Sequence, residues 1–530
     1  MAMQLPIASL GGIQEFLRVA GEAQPVLHSY LVLFAIAGPL IIALALATSG
    51  KLPPAAVKAS ALVGFLVLAA ASLWLAAVYL AGPYNGNYAF TVVSDLGLEQ
   101  FGIRLHLGLN GLALPFYVLS GIVGLAAGLY AIQSGVERLR LQLILLLVMQ
   151  GGLMGVFSSV DILFFYFFHE FALIPTFILI ALWGRAGRKA VALEVTIYLT
   201  FGAMLTLAGL IALYVFSGAT YFNMVELRAA LVEAPLQGTL FGLLLIGFGI
   251  LVSLFPFHTW APRAYATAPA PAAMLHAGVL KKFGIYGLIQ IAYPILPEGA
   301  LHWAPLLMWL ALGNLLLIGF VTMAQRDLKL MLGNASVMHM GYAFLGLYAY
   351  SVIGIGAAVL MLFAHGLSVA LLFLLADVVE KRSGTTDMEE IGGLGQKAPV
   401  LMGLFVAAML ASIGLPGFAN FWGELGIFVS LYASETPWVL YPALVGILIS
   451  AIYGLRAVAS VFFGGEKGSL TGGDIRGPEK LPAVLLLGFL LLIGFWPRLL
   501  SDTVNETVTR TFADTLPTQS VPAANFSLTE

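Results

Sequence analysis

The chain has 530 residues, of which 60% are hydrophobic and only 9% are charged. A water-soluble domain with this balance could not cover its surface, so the composition indicates a membrane protein that contacts a lipid bilayer. The formal net charge is only −2 and no basic tract is present, which argues against a nucleic-acid partner. Without cysteine the chain cannot form disulfides or ligate iron–sulfur clusters, and its eight histidines have no metal-ligand spacing.

Apolar runs of about 20 residues recur along the chain and predict an all-α polytopic fold rather than a transmembrane barrel. We expect fourteen transmembrane helices, near residues 29–48, 58–82, 109–132, 140–158, 159–184, 191–217, 236–259, 270–294, 303–323, 329–350, 351–376, 398–432, 438–463 and 481–500. Acidic residues precede the first run, so residues 1–28 do not resemble a signal peptide, and a short interfacial helix at 12–20 is the alternative.

Lysine and arginine predict the orientation of these helices. The even-numbered loops hold only Arg104 and Arg228, whereas sixteen of the 24 basic residues lie in odd-numbered loops. The sixteen are Lys51, Lys58, Arg138, Arg140, Arg185, Arg188, Lys189, Arg263, Arg326, Lys329, Lys381, Arg382, Lys397, Lys467, Arg476 and Lys480. The positive-inside rule therefore places the odd-numbered loops in the cytoplasm and both termini on the other side. We expect the inner (plasma) membrane of a bacterium, with a thylakoid-type membrane as the alternative.

Two of the predicted helices contain helix-breaking residues at membrane depth. The seventh reads LFPFHTWAP at 254–262, and the twelfth reads SIGLPGFAN at 412–420. Such breaks survive only where protein or water satisfies the freed backbone groups, and matching breaks are typical of inverted-repeat transporters. We therefore expect two inverted five-helix repeats, helices four to eight and nine to thirteen, each broken in its fourth helix.

These boundaries predict six regions along the chain. They are an N-terminal extension at 1–28, helices one to three at 29–135, the first repeat at 136–296, the second repeat at 297–465, a loop with helix fourteen at 466–500, and a polar tail at 501–530.

A carboxylate stands near the middle of the fifth predicted helix. Glu170 lies in FFYFFHEFALIP at 164–175, where an ionisable group costs several kcal/mol unless it is paired, protonated or hydrated. Its default interpretation is functional, and a structural carboxylate satisfied by hydrogen bonds is the alternative.

Two adjacent lysines are further ionisable residues at membrane depth, in the eighth predicted helix. Lys281 and Lys282 lie in HAGVLKKFGIYG at 276–287 and should point about 100° apart on a helix. A buried lysine can exchange its proton with a neighbour, which suits a relay, whereas snorkelling to the membrane surface is the alternative. Buried charges of both signs along one chain indicate a path for protons or ions.

A second carboxylate follows the break in the twelfth predicted helix by about two turns. Glu424 is therefore a candidate terminal proton donor or acceptor. Arg456 in the thirteenth predicted helix is expected to compensate its charge.

Four histidines complete the set of candidates. His339 and His365 lie between the lysines and Glu424 in chain order, and we expect them to act as relay stations through hydrogen-bonded water. His258 stands beside the break in helix seven and His169 beside Glu170, so both are further candidates. For each of them, a satisfied core histidine is the alternative.

Five segments together resemble the antiporter-like membrane subunits of respiratory complex I. FFHEFALIPTFILIALWG at 167–184 resembles the helix-five motif of that family, and HTWAP with APAPAAMLHAGVLKKFGIYG resembles its helix seven–eight segment. AQRDLK with ASVMHMGY, then FAHGLSVALLFL and GLPGFANFWGE, follow in the family's order. The resemblance runs over about residues 100–460, and the glutamate in helix twelve is similar to the M-type (chain 4) branch of the family.

The resemblance implies roles for individual residues. Glu170 corresponds to the family's helix-five glutamate, Lys282 to its helix-eight lysine, and Glu424 to its exit glutamate. His339 and His365 correspond to its connecting histidines.

The resemblance also implies an activity that belongs to a larger complex. The chain would hold no redox centre or cofactor, while NADH (or ferredoxin), FMN, iron–sulfur clusters and quinone would bind to other membrane-arm and peripheral-arm subunits. Quinone reduction there would drive proton translocation through this chain, as part of an NADH:quinone oxidoreductase. An Mrp-type Na⁺/H⁺ antiporter subunit, a hydrogenase-linked pump and a paralogue with lost or retuned pumping are the alternatives.

The chain departs from the family's pattern at three positions. The helix-seven lysine that usually pairs with the helix-five glutamate is replaced by Leu251, and the usual tryptophan before that glutamate is His169. Lys281 is an addition to the pattern. Lys281 or His169 could therefore supply the missing cation, or pumping could be lost.

Overall fold

The computed structural model describes residues 25–84, 86–230, 232–467, 471 and 473–516 of the chain. Eleven helices in these ranges are long and apolar enough to cross a membrane. Three further crossings, which are interrupted or less apolar, complete the fourteen that the sequence predicts. The all-α polytopic fold is therefore confirmed, whereas the interfacial helix considered at 12–20 lies outside the described residues.

The crossings are numbered in chain order. They are α1 (Pro25–Thr48), α2 (Pro54–Ala81), α3 (Ala113–Ile132), α4 (Leu139–Ser158), α5 (Ile162–Trp183), α6 (Arg188–Ser217), α7 (Ala234–Val252), α8 (Ala270–Gly278, Leu280–Lys282, Phe283–Gly287, Leu288–Ala292 and Tyr293–Ile295), α9 (Pro297–Ala324), α10 (Leu328–Tyr348), α11 (Val352–Ser383), α12 (Pro399–Ser412 and Ala419–Tyr432), α13 (Pro437–Phe462) and α14 (Gly477–Phe495). Shorter helices are Glu99–Phe101, Met224–Ala229, Trp260–Thr267, Leu394–Lys397 and Arg498–Thr511.

The loop between α2 and α3 contains a β-hairpin, which the search for apolar runs did not predict. Its strands β1 (Ala89–Ser94) and β2 (Leu105–Leu109) pair antiparallel. The hairpin is anchored on the turn between α4 and α5, where the Val160 N–H donates to the His106 carbonyl at 2.8 Å. Such short strands lie below the length of a membrane crossing, so they leave no signal in a search for long apolar runs.

Loops two, four, six, ten and twelve meet at one end of the molecule, which we call the hairpin face. A bridge joins Asp161 between α4 and α5 to Asn223 between α6 and α7. The C-terminal helix Arg498–Thr511 also lies there, because Arg510 donates to the Asn87 side chain at 2.8 Å. Tyr348 at the end of α10 contacts the hydroxyl of Thr436, which lies before α13.

The odd-numbered loops meet at the opposite end, which we call the basic face. Arg140 in the first turn of α4 donates to the Ser49 hydroxyl after α1 at 3.0 Å. Arg185 after α5 pairs with Asp327 after α9 at 3.3 Å, and Lys467 after α13 contacts the Glu389 carbonyl at 3.3 Å. The alternation derived from basic residues therefore holds in the structure, and the assignment of each face to a compartment stays a prediction.

The break predicted in helix seven is confirmed. After α7 the chain turns at Ser253, whose φ is 69°, and passes through a cis Phe255–Pro256 bond before helix Trp260–Thr267. Asn314 of α9 satisfies the freed backbone, because its Oδ1 accepts from the Phe255 N–H at 2.6 Å and its Nδ2 donates to the Ser253 carbonyl at 3.0 Å. One amide side chain thus holds the break at membrane depth.

The break predicted in helix twelve is confirmed as well. The two halves of α12 are joined by a turn in which Gly414 and Gly417 have φ values of 83° and 101°. Only glycine adopts such angles without strain, which explains the LPG sequence at the break.

Helix eight is also interrupted, which the sequence did not reveal. Val279 leaves the helical region with φ −125° and ψ −62°, and Leu280–Lys282 forms a single 3₁₀ turn. At this point α8 approaches α11 so closely that a Cβ on Gly366 would lie 2.6 Å from the Gly278 carbonyl oxygen. The most apolar window of α11 is completely buried, so this contact lies in the core of the protein.

The Gly278–Gly366 contact predicts a specific loss of stability. Gly366→Ala should push α8 away from α11 and cost about 1–3 kcal/mol, as overpacking does in dense cores. Gly403→Ala is the matched control, because a Cβ there meets no atom within 4 Å. Thermal unfolding of the purified protein in detergent should show a lower midpoint for Gly366→Ala alone. Equal midpoints would contradict a tight contact.

Candidate functional site

The two lysines of α8 are completely enclosed by the protein. Lys281 and Lys282 are 1% and 0% exposed. The Lys281 Nζ donates to both the carbonyl and the hydroxyl of Ser336 on α10, each at 2.9 Å. The Lys282 Nζ donates to the Ala277 carbonyl at 2.6 Å and lies 3.0 Å from His365 Nδ1 on α11. No ion pair among the described residues involves either amine, so only neutral groups hold them.

The two histidines of α10 and α11 continue from Lys282. The rings of His339 and His365 are 5.7 Å apart between centroids, and both side chains are buried. His339 faces the backbone of Ser412 at the break of α12, without the geometry of a hydrogen bond. The structure therefore brings these two predicted residues together with Lys282.

Glu424 lies in the second half of α12, and its side chain reaches back to the break. Its side chain is buried, and its Oε2 occupies the space that a Cβ on Gly414 would fill. Tyr342 and Tyr453 surround the carboxyl group. Glu424 forms no ion pair with any described residue, so it is a lone carboxyl group in the core.

Arg456 does not compensate Glu424, which corrects the expectation from the sequence. Its guanidinium donates to the carbonyls of Met323 and Gln325 instead, the latter at 2.7 Å. These carbonyls end α9 at the basic face, and a cation is favoured at the carboxyl end of a helix. This contact joins α13 to the end of α9, whereas Glu424 lies on α12.

A polar side chain that the sequence analysis did not single out lies between α11 and the half of α12 that carries Glu424. Asn420 precedes Glu424 by one helical turn and donates to the Ser368 hydroxyl at 3.4 Å. Ser368 in turn donates to the His365 carbonyl at 3.3 Å. The amide oxygen of Asn420 is buried and has no partner in the described residues, so it requires a water molecule or another ligand.

Glu170 lies at the surface of the chain and not in its interior. Its side chain is 30% exposed and shares this surface with Phe167 and Ile174, which are more than half exposed. Its partners are His169 Nδ1 at 3.3 Å and the Tyr166 side chain. Successive helical residues point about 100° apart, and on α5 it is His169 that faces inward, at 2% exposure.

The cation expected opposite Glu170 is absent from the described part of the chain. Leu251 occupies the position of the family's helix-seven lysine and is buried among apolar side chains. Among the described residues only His169 lies within ion-pair distance of Glu170. Any charge compensation within this chain must therefore pass through histidine.

His169 contacts the lysine segment through an aromatic ring. It stacks on Phe283, the residue after Lys282, with centroids 3.8 Å apart. His276 is buried on α8, stacks on Trp260 with centroids 5.5 Å apart, and is close enough to Lys281, His169 and Lys282 to interact with their charges. His276 escaped the sequence-based prediction, although a histidine in this apolar segment, five residues before Lys281, was a visible signal.

His258 stands apart from this set. It stacks on Phe255 in the break of α7, with centroids 5.7 Å apart, and its buried Nδ1 has no partner in the described residues. No hydrogen bond of the described residues joins it to the lysines. In the same ranges no group of three or more His, Asp or Glu side chains could hold a metal ion.

A cluster of ion pairs joins α10 and α11 at the basic face. Lys329 of α10 donates to Asp377 at 2.8 Å and to Glu380 at 2.6 Å, both on α11. Arg185 of the first repeat pairs with Glu380 at 3.1 Å, so one carboxylate is shared between the repeats. The sequence identified these basic residues only as loop charges, because their partners are distant along the chain.

The Lys329 cluster predicts a large loss of stability on removal of its cation. Lys329→Met removes the buried cation that Asp377 and Glu380 share and leaves them only the more exposed Lys381 and Arg185, so it should cost about 1–3 kcal/mol. Lys397→Met is the matched control, because the Lys397–Glu466 pair is nearly half exposed and should contribute less than about 1 kcal/mol. Thermal unfolding in detergent at neutral pH measures both. A similar midpoint for the two variants would argue against a structural role of the cluster.

Comparison with known proteins places the chain in a family. The family model "NADH:quinone oxidoreductase/Mrp antiporter, TM" matches residues 159–450. "NAD(P)H-quinone oxidoreductase chain 4 1" of Synechococcus sp. (strain JA-2-3B'a(2-13)) is 35% identical over 77% of this chain and 79% of its own length. "NAD(P)H-quinone oxidoreductase chain 4 2" of Thermosynechococcus vestitus is 32% identical over 84% of this chain and 85% of its own length.

Solved structures agree with this placement. A chain of "Respiratory complex I from Thermus thermophilus with bound NADH" matches with a TM-score of 0.82 and 29% identity, over 90% of this chain and 99% of its own. A chain of the Mrp complex from Dietzia sp. matches with a TM-score of 0.82 at 19% identity, over 92% and 98% of the two chains, which shows the fold alone. Because the family model spans more than half of the chain, the protein belongs to the NADH:quinone oxidoreductase/Mrp antiporter transmembrane family.

Proposed function

We propose that this chain is the antiporter-like, proton-translocating membrane subunit of a complex I-type NADH (or ferredoxin):quinone oxidoreductase. The observation that carries the proposal is the buried lysine pair, which is held only by neutral acceptors and contacts His365 through Lys282. A buried ammonium without a counter-ion is costly, so the pair is difficult to explain as a structural feature. An amine beside an imidazole can pass a proton to it directly.

The proposed path runs from α8 to the break of α12. A proton on Lys282 moves to His365 at 3.0 Å, and then through water to His339 or past Ser368 and Asn420. Glu424 is the terminal acceptor of either branch. The buried Asn420 Oδ1 and His339 Nε2, which have no partner in the described residues, support this path, because such atoms are normally satisfied by internal water.

Glu170 forms the entry end of the proposed path. Its partly exposed position at membrane depth supports contact with a neighbouring subunit, because a carboxylate facing lipid would be costly. His169, His276 and Lys281 together take the place of the missing helix-seven cation, since they extend from Glu170 to the lysine pair. His258 has no place in this path and is proposed only as a side chain that orders the break of α7.

The partners and cofactors follow from the relatives. Their printed names describe chains of NAD(P)H-quinone oxidoreductase and of respiratory complex I. The electron donor, FMN, iron–sulfur clusters and quinone therefore belong to other subunits of the same assembly. The repeats are proposed to span 136–296 and 297–465. Both termini are proposed to face the non-cytoplasmic side of a bacterial membrane, because the basic face carries most of the loop charges.

A paralogue without pumping is the second candidate. The observation that favours it is Leu251, which leaves Glu170 without the lysine of the usual charge pair. The two candidates differ in whether Lys281 and His169 can substitute for that lysine.

The first prediction concerns the relay itself. Lys282→Ala should remove the whole contribution of this chain to the proton yield per electron, because the amine has no neighbouring substitute that contacts His365. Glu424→Gln should have the same effect at the other end of the path. The measurement is proton uptake per quinone reduced in vesicles that contain the assembled complex.

Lys467→Ala and Glu466→Gln are the controls, since both residues lie in the loop after α13 at the basic face, and Glu466 is 47% exposed. An unchanged proton yield in both relay variants, with normal assembly, would favour the non-pumping candidate. Na⁺ transport that continues without an electron donor would instead indicate an antiporter.

The second prediction concerns the missing cation. Lys281→Ala should lower the proton yield, because it removes one of the groups that the proposed path uses in place of the helix-seven cation. Adding Leu251→Lys in that background should restore the yield, since it returns a cation to the family's position. A Lys281→Ala protein that pumps normally would show that Lys281 is dispensable, and would leave His169 as the substitute.

A further inference from the structure

Arg228 is one of the two basic residues that depart from the charge asymmetry of the loops. It lies on helix Met224–Ala229 at the hairpin face, and its side chain points into the protein. Its Nη2 donates to both the backbone carbonyl and the side-chain oxygen of Gln290 on α8, each at 2.7 Å. Arg104, the other exception, pairs with Asp95 in a contact where both side chains are at least a third exposed.

Gln290 connects this guanidinium to a buried polar cluster. It is completely buried in the π-helical segment Leu288–Ala292 of α8. Its Nε2 donates to the Asn110 side-chain oxygen at 2.9 Å and to the Tyr286 hydroxyl at 3.3 Å. A buried glutamine with all of these partners is part of a cooperative network and not a surface cap.

The polar cluster lies on α8 between Lys282 and the hairpin face. Lys282, Tyr286 and Gln290 follow one another at steps of four residues on α8, which places them along one side of the helix. Around Tyr286, the rings of Phe116 and Phe157 pack at 5.2 Å. Tyr286 and Gln290 therefore place polar groups between Lys282 and the hairpin face, although the Lys282 amine itself donates toward Ala277 and no hydrogen bond among the described residues joins it to Tyr286.

Such a line would permit proton leakage unless a barrier closes it. A guanidinium is always protonated and has no acceptor atom, so it cannot relay a proton. A fixed arginine in a pore is an electrostatic barrier to protons and other cations. Arg228 has no carboxylate partner among the described residues, so no ion pair neutralises its charge beside Gln290.

We propose that Arg228 is a fixed-charge seal that closes the hairpin-face end of the Lys282–Tyr286–Gln290 line. This proposal rests on the proposed function, because it assumes that Lys282 carries a proton. The seal prevents that proton from leaving through the first repeat. The proton is thereby directed to His365 and on to Glu424.

The test is passive proton permeability of vesicles that contain the assembled complex, without electron donor and under an imposed membrane potential. Arg228→Gln should raise the leak about tenfold, which is the factor for a unit charge about 10 Å from the moving proton at an effective dielectric constant of about 20. Arg228→Lys keeps the charge but offers an amine that can exchange a proton, so its leak should lie between those of the wild type and Arg228→Gln. Arg104→Gln is the matched control and should leave the leak unchanged.

Two further variants keep the proposal testable if Arg228→Gln fails to assemble. Gln290→Glu leaves Arg228 in place but sets a carboxylate of nearly the same shape as the glutamine beside it. The carboxylate neutralises the guanidinium charge, so this variant should raise the leak in the same way. Gln290→Leu in the Arg228→Gln background interrupts the line and should return the leak to the wild-type value.

Three results would overturn the seal. They are an unchanged leak in both Arg228→Gln and Gln290→Glu, an equal leak in Arg228→Lys and Arg228→Gln, and a leak that persists after Gln290→Leu. Because the assay requires no turnover, failure of the seal is distinct from failure of the proposed function. The latter is read from the proton yield of Lys282→Ala.

Discussion

The arrangement of the core depends on how Lys282 finds hydrogen bonds inside a membrane-embedded protein. A regular α8 would use the Ala277 carbonyl for its own ladder, but the interruption at Val279 leaves that oxygen free for the amine. The close backbone approach of Gly278 and Gly366 brings α11 near enough for His365 to take the second contact. Neutral hydrogen-bond acceptors allow the Lys282 amine to release its proton, whereas a carboxylate partner would stabilise the ammonium form and retain the proton.

Each of the two repeats contains a broken helix, but different groups occupy the two breaks. In α7 the freed backbone is satisfied by an amide from α9, so the break is closed by Asn314 and carries no ionisable group in its hydrogen bonds. In α12 the break has no such amide, and Glu424 fills the space above Gly414. One break is therefore closed by a structural amide, whereas the other holds a buried carboxyl group, which agrees with the proposed path through the second repeat.

Some charged groups near the surface find their partners within the chain, and others do not. The ion pairs around Lys329 at the basic face satisfy each other within the chain and join the two repeats. Glu170 is different, because it stands among exposed aromatic side chains with only His169 and Tyr166 as partners. A carboxylate that faces lipid at that depth is costly, which supports the proposal that a neighbouring subunit covers Glu170.

The sequence alone determined the membrane class, the fourteen crossings, their alternation between two faces and the breaks in α7 and α12. These features depend on the transfer free energies and backbone preferences of residues close together in the chain, which are nearly independent of the rest of the fold. It also identified Glu170, the two lysines and Glu424 as anomalies. Only the tertiary structure decided which atoms meet, because the contacts of Lys282 with His365 and of Arg228 with Gln290 join helices that are distant in sequence. The exposure of Glu170 and the separate role of Arg456 were decided there for the same reason.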